Sequence, residues 1–147
     1  MSYMSEAISE ARLAANRGEV PVGAVIVDPS QGTIVGRAGN RTREDNDPTG
    51  HAEILAIRSA STELGRERLN GLDMYVTLEP CAMCAGAISA ARIARLYYGA
   101  ADPKSGGVAH GAKVFSHAQT HHVPEVYDGI AADECARILR LFFEARR

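Results

Sequence analysis

The sequence predicts an α/β fold, a three-layer α/β/α sandwich with a central mixed sheet of about five strands. Two observations favour this fold class. Short, β-branched apolar segments alternate along the chain with longer segments of helical periodicity, which is the order found when helices cover both faces of a sheet. Residues 74–79, 80–91 and 95–99 also follow one another as strand, helix and strand, which predicts two parallel strands joined by a right-handed crossover.

Each predicted element has a local reason. Helices are predicted where apolar residues recur every three or four positions, and Gly18, Gly65 and Pro80 mark helix ends. Strands are predicted where short runs are β-branched or alternate, and residues 22–27 are apolar on both faces, as in a central strand. In chain order, the predicted elements are a helix from Met4 to about Gly18, strands at 22–27 and 33–40 joined by a turn, a helix starting near His51 with Thr49 as its cap, a strand at 74–79, a helix at 80–91, a strand at 95–99, a loop at 101–111, a strand at 120–126 and a final amphipathic helix over 131–143.

The composition predicts one cytoplasmic domain covering residues 1–147. The 147 residues are 46% apolar and 23% charged, which excludes disordered, collagenous and coiled-coil proteins. Acidic residues stand in the first ten positions, where a signal peptide carries basic ones, and no apolar run approaches the roughly 20 residues of a membrane span. The formal net charge of −2 gives no general attraction to nucleic acid. We therefore expect no membrane or DNA partner, and any RNA contact must come from a local basic patch.

Two short motifs carry the chemistry of the sequence. One is His51-Ala-Glu53 at the start of a predicted helix, and the other is Pro80-Cys-Ala-Met-Cys84 at the start of the next. Cys81 and Cys84, three positions apart, share one face of a helix, and side chains in a first turn lean towards the helix N-terminus. A histidine and two thiolates are ligands that Zn²⁺ favours, and three protein ligands leave a fourth position for water, as in catalytic sites. The motifs therefore predict one catalytic Zn²⁺ bound by His51, Cys81 and Cys84.

Glu53 is the predicted catalytic residue. Two thiolates formally cancel the charge of Zn²⁺ and weaken it as a Lewis acid, so a water molecule at the metal needs a base to lose its proton. A carboxylate two positions after His51 stands in the right place to take that proton and to return it to a leaving group. Without such a role, an acidic side chain beside two thiolates would only add repulsion.

Other interpretations of these residues are open at the level of sequence. A lone Cys-x-x-Cys in an alanine-rich helix is often two small core residues. A structural site with Cys135 as a fourth ligand is a second alternative, although Cys135 falls in the apolar period of the last helix, which favours a core position. The remaining histidines are expected at the surface or in loops, with a place in the substrate groove left open for the last two: His110, His117, His121 and His122.

Along nearly its whole length the chain resembles the bacterial tRNA adenosine deaminases, a branch of the cytidine and deoxycytidylate deaminase superfamily. His-x-Glu with Pro-Cys-x-x-Cys is the signature of the zinc nucleobase deaminases. The segments that carry the resemblance are 19–24, 40–41, 47–53, 75–87, 99–104, 133–135, 141–143 and 146–147. The chain departs from the family at Gly50, where alanine is usual, and at His121-His122, where Asn-His is common.

The resemblance implies a deaminase-type sandwich, a homodimer, and hydrolysis of adenosine to inosine at the wobble position of the tRNA anticodon arm. By motif, it implies that His51, Cys81 and Cys84 hold Zn²⁺ and that Glu53 moves protons. The anticodon loop is a suitable target because its bases are single-stranded and are readily splayed into a pocket.

The resemblance also implies substrate contacts. Asn40 would hydrogen-bond the flipped base, and Asp102 would contact the nucleotide backbone near it. The last helix would approach the anticodon loop with the residues at its end: Phe142, Phe143, Arg146 and Arg147. The candidates for phosphate contacts are Arg41, Arg43, Lys104, Arg146 and Arg147. Fourteen of the sixteen basic residues are arginine, which a GC-rich genome would also produce without an RNA partner.

Two alternative functions keep part of this interpretation. A deaminase of a free base or nucleoside, such as guanine, cytosine or cytidine, shares the His-Ala-Glu core, but it has no use for a basic C-terminal end. A non-enzymatic, zinc-stabilised RNA-binding module would need no carboxylate at Glu53.

Overall fold

The computed structural model describes residues 3–146, which form a five-stranded sheet and four α-helices. In chain order, the elements are α1 (Met4–Asn16), β1 (Gly23–Asp28), β2 (Thr33–Gly39), α2 (Ala52–Leu64), β3 (Asp73–Leu78), α3 (Ala82–Ala91), β4 (Arg95–Ala100), a 3₁₀ turn (Val114–Ser116), β5 (Glu125–Tyr127) and α4 (Ala132–Glu144). Within this part of the chain, every helix is too short or too polar to span a bilayer. The predicted α/β sandwich is confirmed.

The sheet is mixed, with the strand order β2-β1-β3-β4-β5. β1 pairs antiparallel with β2 and β3, whereas β3, β4 and β5 run parallel. The predicted hairpin of β1 and β2 and the predicted parallel pair of β3 and β4 are both present. Ligand sites of open α/β sheets lie at the carboxyl ends of parallel strands. The end of β3 leads directly into the Pro80-Cys81 motif.

Helices cover both faces of the sheet. α2 and α3 pack on one face through residues such as Ala56 and Ile88, and α1 and α4 pack on the other through residues such as Ile8 and Cys135. α2 lies close to β2 because Gly36 has no side chain, since a Cβ there would lie 2.7 Å from the carbonyl oxygen of Ala56. This contact fixes the first two turns of α2 over the sheet.

The start of α2 differs in one detail from the sequence prediction. Thr49 does not cap the helix, because its N–H and hydroxyl donate to Asp47 Oδ1 at 2.9 and 2.7 Å in a local turn. The cap comes from a distant residue instead: Asn40 Oδ1 accepts the Ala52 N–H at 2.8 Å. Thr49 is close to the helix start in sequence, but the side chain that reaches the helix start in the fold is that of Asn40.

The other helix ends lie within two residues of their sequence signals, although Pro80, which the sequence predicts as the first helical residue, precedes the N-cap of α3. α3 begins at Ala82, two residues after Pro80, and Cys81 is its N-cap. Gly18 and Gly65 follow α1 and α2 with φ angles of +82° and +66°, a left-handed conformation that glycine adopts without steric cost.

The last strand is shorter and later than the sequence predicts. A strand is expected at 120–126, but β5 covers Glu125–Tyr127. The preceding segment is held by side chains rather than by a strand ladder: His122 Nε2 lies 2.8 Å from the carbonyl oxygen of Ile93, and Ser89 Oγ donates to the His122 carbonyl at 2.7 Å. These bonds tie the segment to the end of α3 and leave only three residues for pairing with β4.

Candidate active site

Two helix N-termini meet beside the end of β3. His51 is the N-cap residue of α2 and Cys81 is the N-cap residue of α3, and neither side chain caps its own helix. His51 Nδ1 lies 3.6 Å from Cys81 Sγ and 3.5 Å from Cys84 Sγ. The three ligand atoms all lie within 4.8 Å of one another. The fold thus brings together the three side chains that the two motifs single out.

The electrostatics of this cluster favour a bound cation. The hydrogen bond from Cys84 lowers the pKa of Cys81 to about 4, and the same contact, together with burial, raises the pKa of Cys84. The hydrogen bond to Cys81 raises the pKa of His51. The two sulfurs therefore share one proton, and the positive ends of two helices stabilise the thiolate. A histidine and two such cysteines form a donor set that fits one Zn²⁺ per chain.

Cys135 is not part of this cluster. It lies on α4, on the opposite face of the sheet, where a Cβ at Gly99 would come within 2.5 Å of its Sγ. Among residues 3–146, no second group of three or more His, Cys, Asp or Glu side chains is close enough to share an ion. The alternative of a four-ligand structural site with Cys135 is therefore incompatible with the fold.

Glu53 lies in the first turn of α2 with 4% of its surface exposed. Burial raises the pKa of Glu53 from 4.5 to about 7, and the charge of Cys81 acts in the same direction. A pKa near neutrality suits a group that must both accept and return a proton. Glu53 lines the same cavity as His51 and Cys81, so it faces the space where a ligand of the metal site would lie.

A cavity of about 250 Å³ opens in front of these groups. Val20, Val22 and Leu78 form an apolar wall, and Glu53 and His51 are among the polar groups that line it. Apolar walls with a few convergent polar groups are typical of a pocket for a small molecule.

Asn40 lines the same cavity and has a fixed orientation. Its Oδ1 accepts the N–H of Ala52, the first residue of α2, at 2.8 Å. The side-chain NH₂ is therefore the group left to donate to a ligand. The expected contact with a base stays a prediction, but the cap shows why the amide would present a donor.

Asp102, Lys104 and Phe143 lie around two adjoining cavities. Asp102 lines the first one, and its Oδ1 accepts the N–H of Ser105 at 2.9 Å. Lys104 and Phe143 line a second cavity of about 440 Å³ that shares Asp102 and Ser105 with the first. The residues expected to contact the substrate thus line two adjoining cavities, the first of which also contains His51 and Cys81.

Arg146 lines neither of these two cavities but a separate groove. Its guanidinium carbon lies 3.5 Å from the centre of the Phe142 ring, and it lines a groove of about 430 Å³ together with Arg17 and Arg43. Arg17, which the sequence does not distinguish from other helix-surface charges, also lines this groove. Glu19 and Glu44 lie in the same lining, and Glu44 pairs with Arg17 at 3.1 Å. Arg147 lies outside the described residues.

Two buried glutamates beside the cavity have roles that the sequence does not predict. Glu19 and Glu79 are both almost fully buried, and the hydrogen bonds that they accept come mainly from the backbone of neighbouring loops. Burial would raise the pKa of Glu79, but hydrogen bonds from Asp102 and His110 hold it below its usual value. The sequence feature that could have identified them is an acidic residue directly beside an apolar strand, because a solvated charge is not expected there.

The four further histidines all lie outside the metal cluster. His110 is the loop residue that the sequence predicts, and its ring Nδ1 donates to Glu79 at 2.7 Å. His122 binds the Ile93 carbonyl, and His121 lines a separate concavity beside α3 with His117. The cavity at the metal cluster includes neither His121 nor His122 among its lining residues.

Residues 1–100 match the family described as the cytidine and deoxycytidylate deaminase zinc-binding region, and the chain belongs to this family. Within the family, the tRNA-specific adenosine deaminase of Agrobacterium fabrum (strain C58) is 58% identical over 145 residues, which cover 99% of this chain and 94% of that protein.

Solved structures extend the comparison. A structure from work on A-to-I editing by tRNA:A34 deaminases at the wobble position of transfer RNA superimposes with a TM-score of 0.90 and 58% identity, over 93% of this chain and 98% of that one. The guanine deaminase of Bacillus subtilis is 40% identical with a TM-score of 0.63, over 67% of this chain and 62% of that one.

Proposed function

We propose that this chain is a zinc-dependent hydrolase that deaminates adenosine to inosine at the wobble position of tRNA. The observation that carries the proposal is the meeting of His51, Cys81 and Cys84 with a buried carboxylate, Glu53, at one small cavity. The similarity to the tRNA-specific adenosine deaminase of Agrobacterium fabrum, which covers nearly the whole of both chains, supports this choice of substrate.

His51, Cys81 and Cys84 are the residues that would hold the metal. When bound, Zn²⁺ supplies a Lewis acid that makes a water molecule a good nucleophile near neutral pH. The chain contributes the negative charge of the cysteines, two helix N-termini that stabilise it, and a buried setting that keeps bulk water away.

Glu53 moves the protons in this proposal. The reaction adds one water molecule at C6 of adenine and releases ammonia, which leaves inosine. Glu53 accepts a proton from the attacking water and passes it to N1 of the ring. It then takes the proton of the hydroxyl group now on C6, which becomes the carbonyl oxygen, and gives that proton to the amine, which leaves as ammonia. Because burial brings the pKa of Glu53 to about 7, both of its protonation states are accessible near neutral pH.

The outer cavities suit nucleotides next to the target base. The NH₂ of Asn40 would donate to the flipped base, and Asp102 would contact the backbone beside it. Phe143 is exposed on α4, and it lines the second cavity together with Lys104. An aromatic ring and a cation side by side are a typical combination for binding a single-stranded nucleotide. This arrangement supports the anticodon arm as the part of tRNA that is bound.

We propose further that the enzyme acts as a cytoplasmic homodimer. The ten residues of α3 include no Asp, Glu, Lys or Arg, although the helix lies at the surface and Met83 is 38% exposed. A surface helix without charges is characteristic of the centre of a protein interface. A concavity of about 330 Å³ adjoins this helix, with Gly86 and His121 in its lining.

The proposed reaction is tested by measuring inosine in tRNA by mass spectrometry after incubation with the protein. We expect inosine at the wobble adenosine with the wild-type chain and none with the Glu53→Gln variant. Free adenosine, cytidine and guanine are run in parallel. Efficient turnover of free guanine without inosine in tRNA would favour a free-base deaminase. The similarity to the Bacillus subtilis guanine deaminase is the observation that favours guanine as the competing substrate.

A further inference from the structure

Two buried carboxylates lie beside the cavity and have no part in the chemistry above. Glu19 and Glu79 are 1% and 2% exposed. Glu79 directly follows Leu78 of the apolar wall and itself lines the cavity. Glu19 directly precedes Val20 of the same wall and lines the neighbouring groove with Arg43. A buried carboxylate is costly unless hydrogen bonds compensate for the lost hydration, so the partners of these two groups show what they do.

The partners of Glu79 all come from the loop that follows β4. Its Oε1 accepts the Asp102 N–H at 3.0 Å and the ring N–H of His110 at 2.7 Å. Its Oε2 accepts three consecutive backbone N–H groups, those of Val108, Ala109 and His110, at 3.2, 3.0 and 3.1 Å. The loop is therefore folded around a single carboxylate.

The same loop needs a glycine to close on Glu79. A Cβ at Gly106 would collide with Glu79 Oε2. On the other side, this loop presents Asp102 and Ser105 to the first cavity and Lys104 to the second. The Glu79 carboxylate thus holds the loop in place by hydrogen bonds, and other residues of the loop line the two cavities that are proposed to receive the substrate.

Glu19 supports a second loop in the same way. Its carboxylate accepts the N–H of Glu44 at 2.7 Å, the N–H of Arg43 at 3.3 Å and the hydroxyl of Thr42 at 3.4 Å. This loop follows Asn40, and Asn40 and Thr42 line the first cavity. Each of these two rim loops, which contribute residues to the cavity lining, is therefore held by one buried glutamate.

We propose that Glu19 and Glu79 are positioning residues, each of which holds one rim loop of the cavity in the conformation that receives the RNA. The proposal rests on the proposed function, because it concerns the substrate of the same site. Opening either loop would leave a buried carboxylate without its donors, so the loops stay closed before the substrate arrives. The cost of ordering them then falls on folding rather than on binding, which strengthens RNA binding.

Glu79→Gln and Glu19→Gln test this role. Glutamine keeps the shape but replaces one acceptor oxygen by an NH₂ group that faces N–H donors. For Glu79→Gln we expect faster hydrogen exchange at the amides of residues 102 and 108–110, and for Glu19→Gln at residues 43–44. In each case KM for an anticodon stem-loop should rise about tenfold while kcat changes less than about threefold, and zinc content should stay at the wild-type level.

Asp73→Asn is the matched control. Asp73 is also a buried carboxylate, 4% exposed, but it lies at the other end of β3 and pairs with Arg95 at 2.9 Å. Losing it should lower the unfolding temperature and leave KM unchanged. An equal rise in KM in Asp73→Asn, or an unchanged KM in the glutamine variants despite faster amide exchange, would overturn the proposal.

Gly106→Ala provides a second route if Glu79→Gln does not fold. The added methyl group would collide with the same carboxylate and with the Asp102 carbonyl, so it disturbs the same loop and the same rise in KM is expected. The wild-type chain separates this proposal from the proposed function. Absence of inosine with wild-type protein would contradict the function, whereas the exchange pattern of the variants, which needs no turnover, tests the support of the loops.

Discussion

At the scale of single residues, turnover should depend most on Glu53. Glu53→Gln is nearly isosteric and removes a buried ionisable group, so the variant should fold and keep its zinc. It should lose about 10²- to 10⁴-fold in the rate of the chemical step, because a positioned acid–base group typically contributes that much. Single-turnover measurement of inosine formation checks this, with RNA binding expected to persist. A rate within a few fold of wild type would assign the proton transfers to another group.

The burial of Glu53 also predicts how activity depends on pH. Glu53 must be ionised to accept a proton, so kcat/KM should fall as the pH decreases through its pKa. Burial raises that pKa from 4.5 to about 7, and a bound divalent cation opposes the rise by favouring the carboxylate. The acid limb of the profile should therefore have its midpoint between these two values, and it should be missing from the residual activity of Glu53→Gln. An identical limb in that variant would mean that a different group titrates.

The metal ligands are distinguished by two alanine variants. Cys81→Ala removes a ligand from the cluster and should lose most of the bound zinc. Cys135→Ala should keep one ion per chain, because Cys135 lies on the opposite face of the sheet. Elemental analysis of purified protein gives the metal content directly. Loss of zinc from Cys135→Ala together with retention in Cys81→Ala would show that the ligand assignment is wrong.

At the scale of elements, the end of α4 should control the electrostatic part of RNA binding. Replacing Arg146 and Arg147 by alanine should flatten the plot of log K against log salt by about 0.7 for each phosphate that these arginines neutralise in the wild-type complex. The control replaces Arg66 and Arg68, exposed residues beyond α2, by alanine with the same change in net charge. Asn40→Ala should weaken binding without changing the slope. Equal slopes for the two double variants would contradict a phosphate contact at α4.

The elements also show which features a sequence reveals. The hairpin of β1 and β2, the unit from β3 to β4 and the helix starts at His51 and Cys81 were predictable because periodicity, glycine and proline are local signals. The cap that Asn40 gives to α2 was not, because the two partners are twelve positions apart and meet only in the fold. The same reason hides the roles of Glu19 and Glu79 and the shortening of β5 by His122, since each depends on partners from another part of the chain.

At the scale of the whole molecule, the uncharged helix α3 should mediate dimer formation. Gly86 has open space around it, since a Cβ there would meet no atom within 4 Å, so Gly86→Arg should fold and place a charge in the interface. We expect this variant to be a monomer in analytical ultracentrifugation. Leu13→Arg is the matched control, because Leu13 is an exposed apolar residue of α1 on the other face of the sheet. A dimer that survives Gly86→Arg would place the interface elsewhere.

The spacing of the ligands within the chain has a further consequence. His51 and Cys81 stand thirty positions apart, at the first turns of two different helices. An ion held by both closes a loop that contains α2 and β3, much as a covalent cross-link does, and a disulfide across a loop of 15 to 100 residues stabilises by roughly 3–5 kcal/mol. Each tenfold rise in free zinc above the dissociation constant should then add about 1.4 kcal/mol to the free energy of unfolding. The unfolding temperature of the protein would thus report the supply of zinc around it.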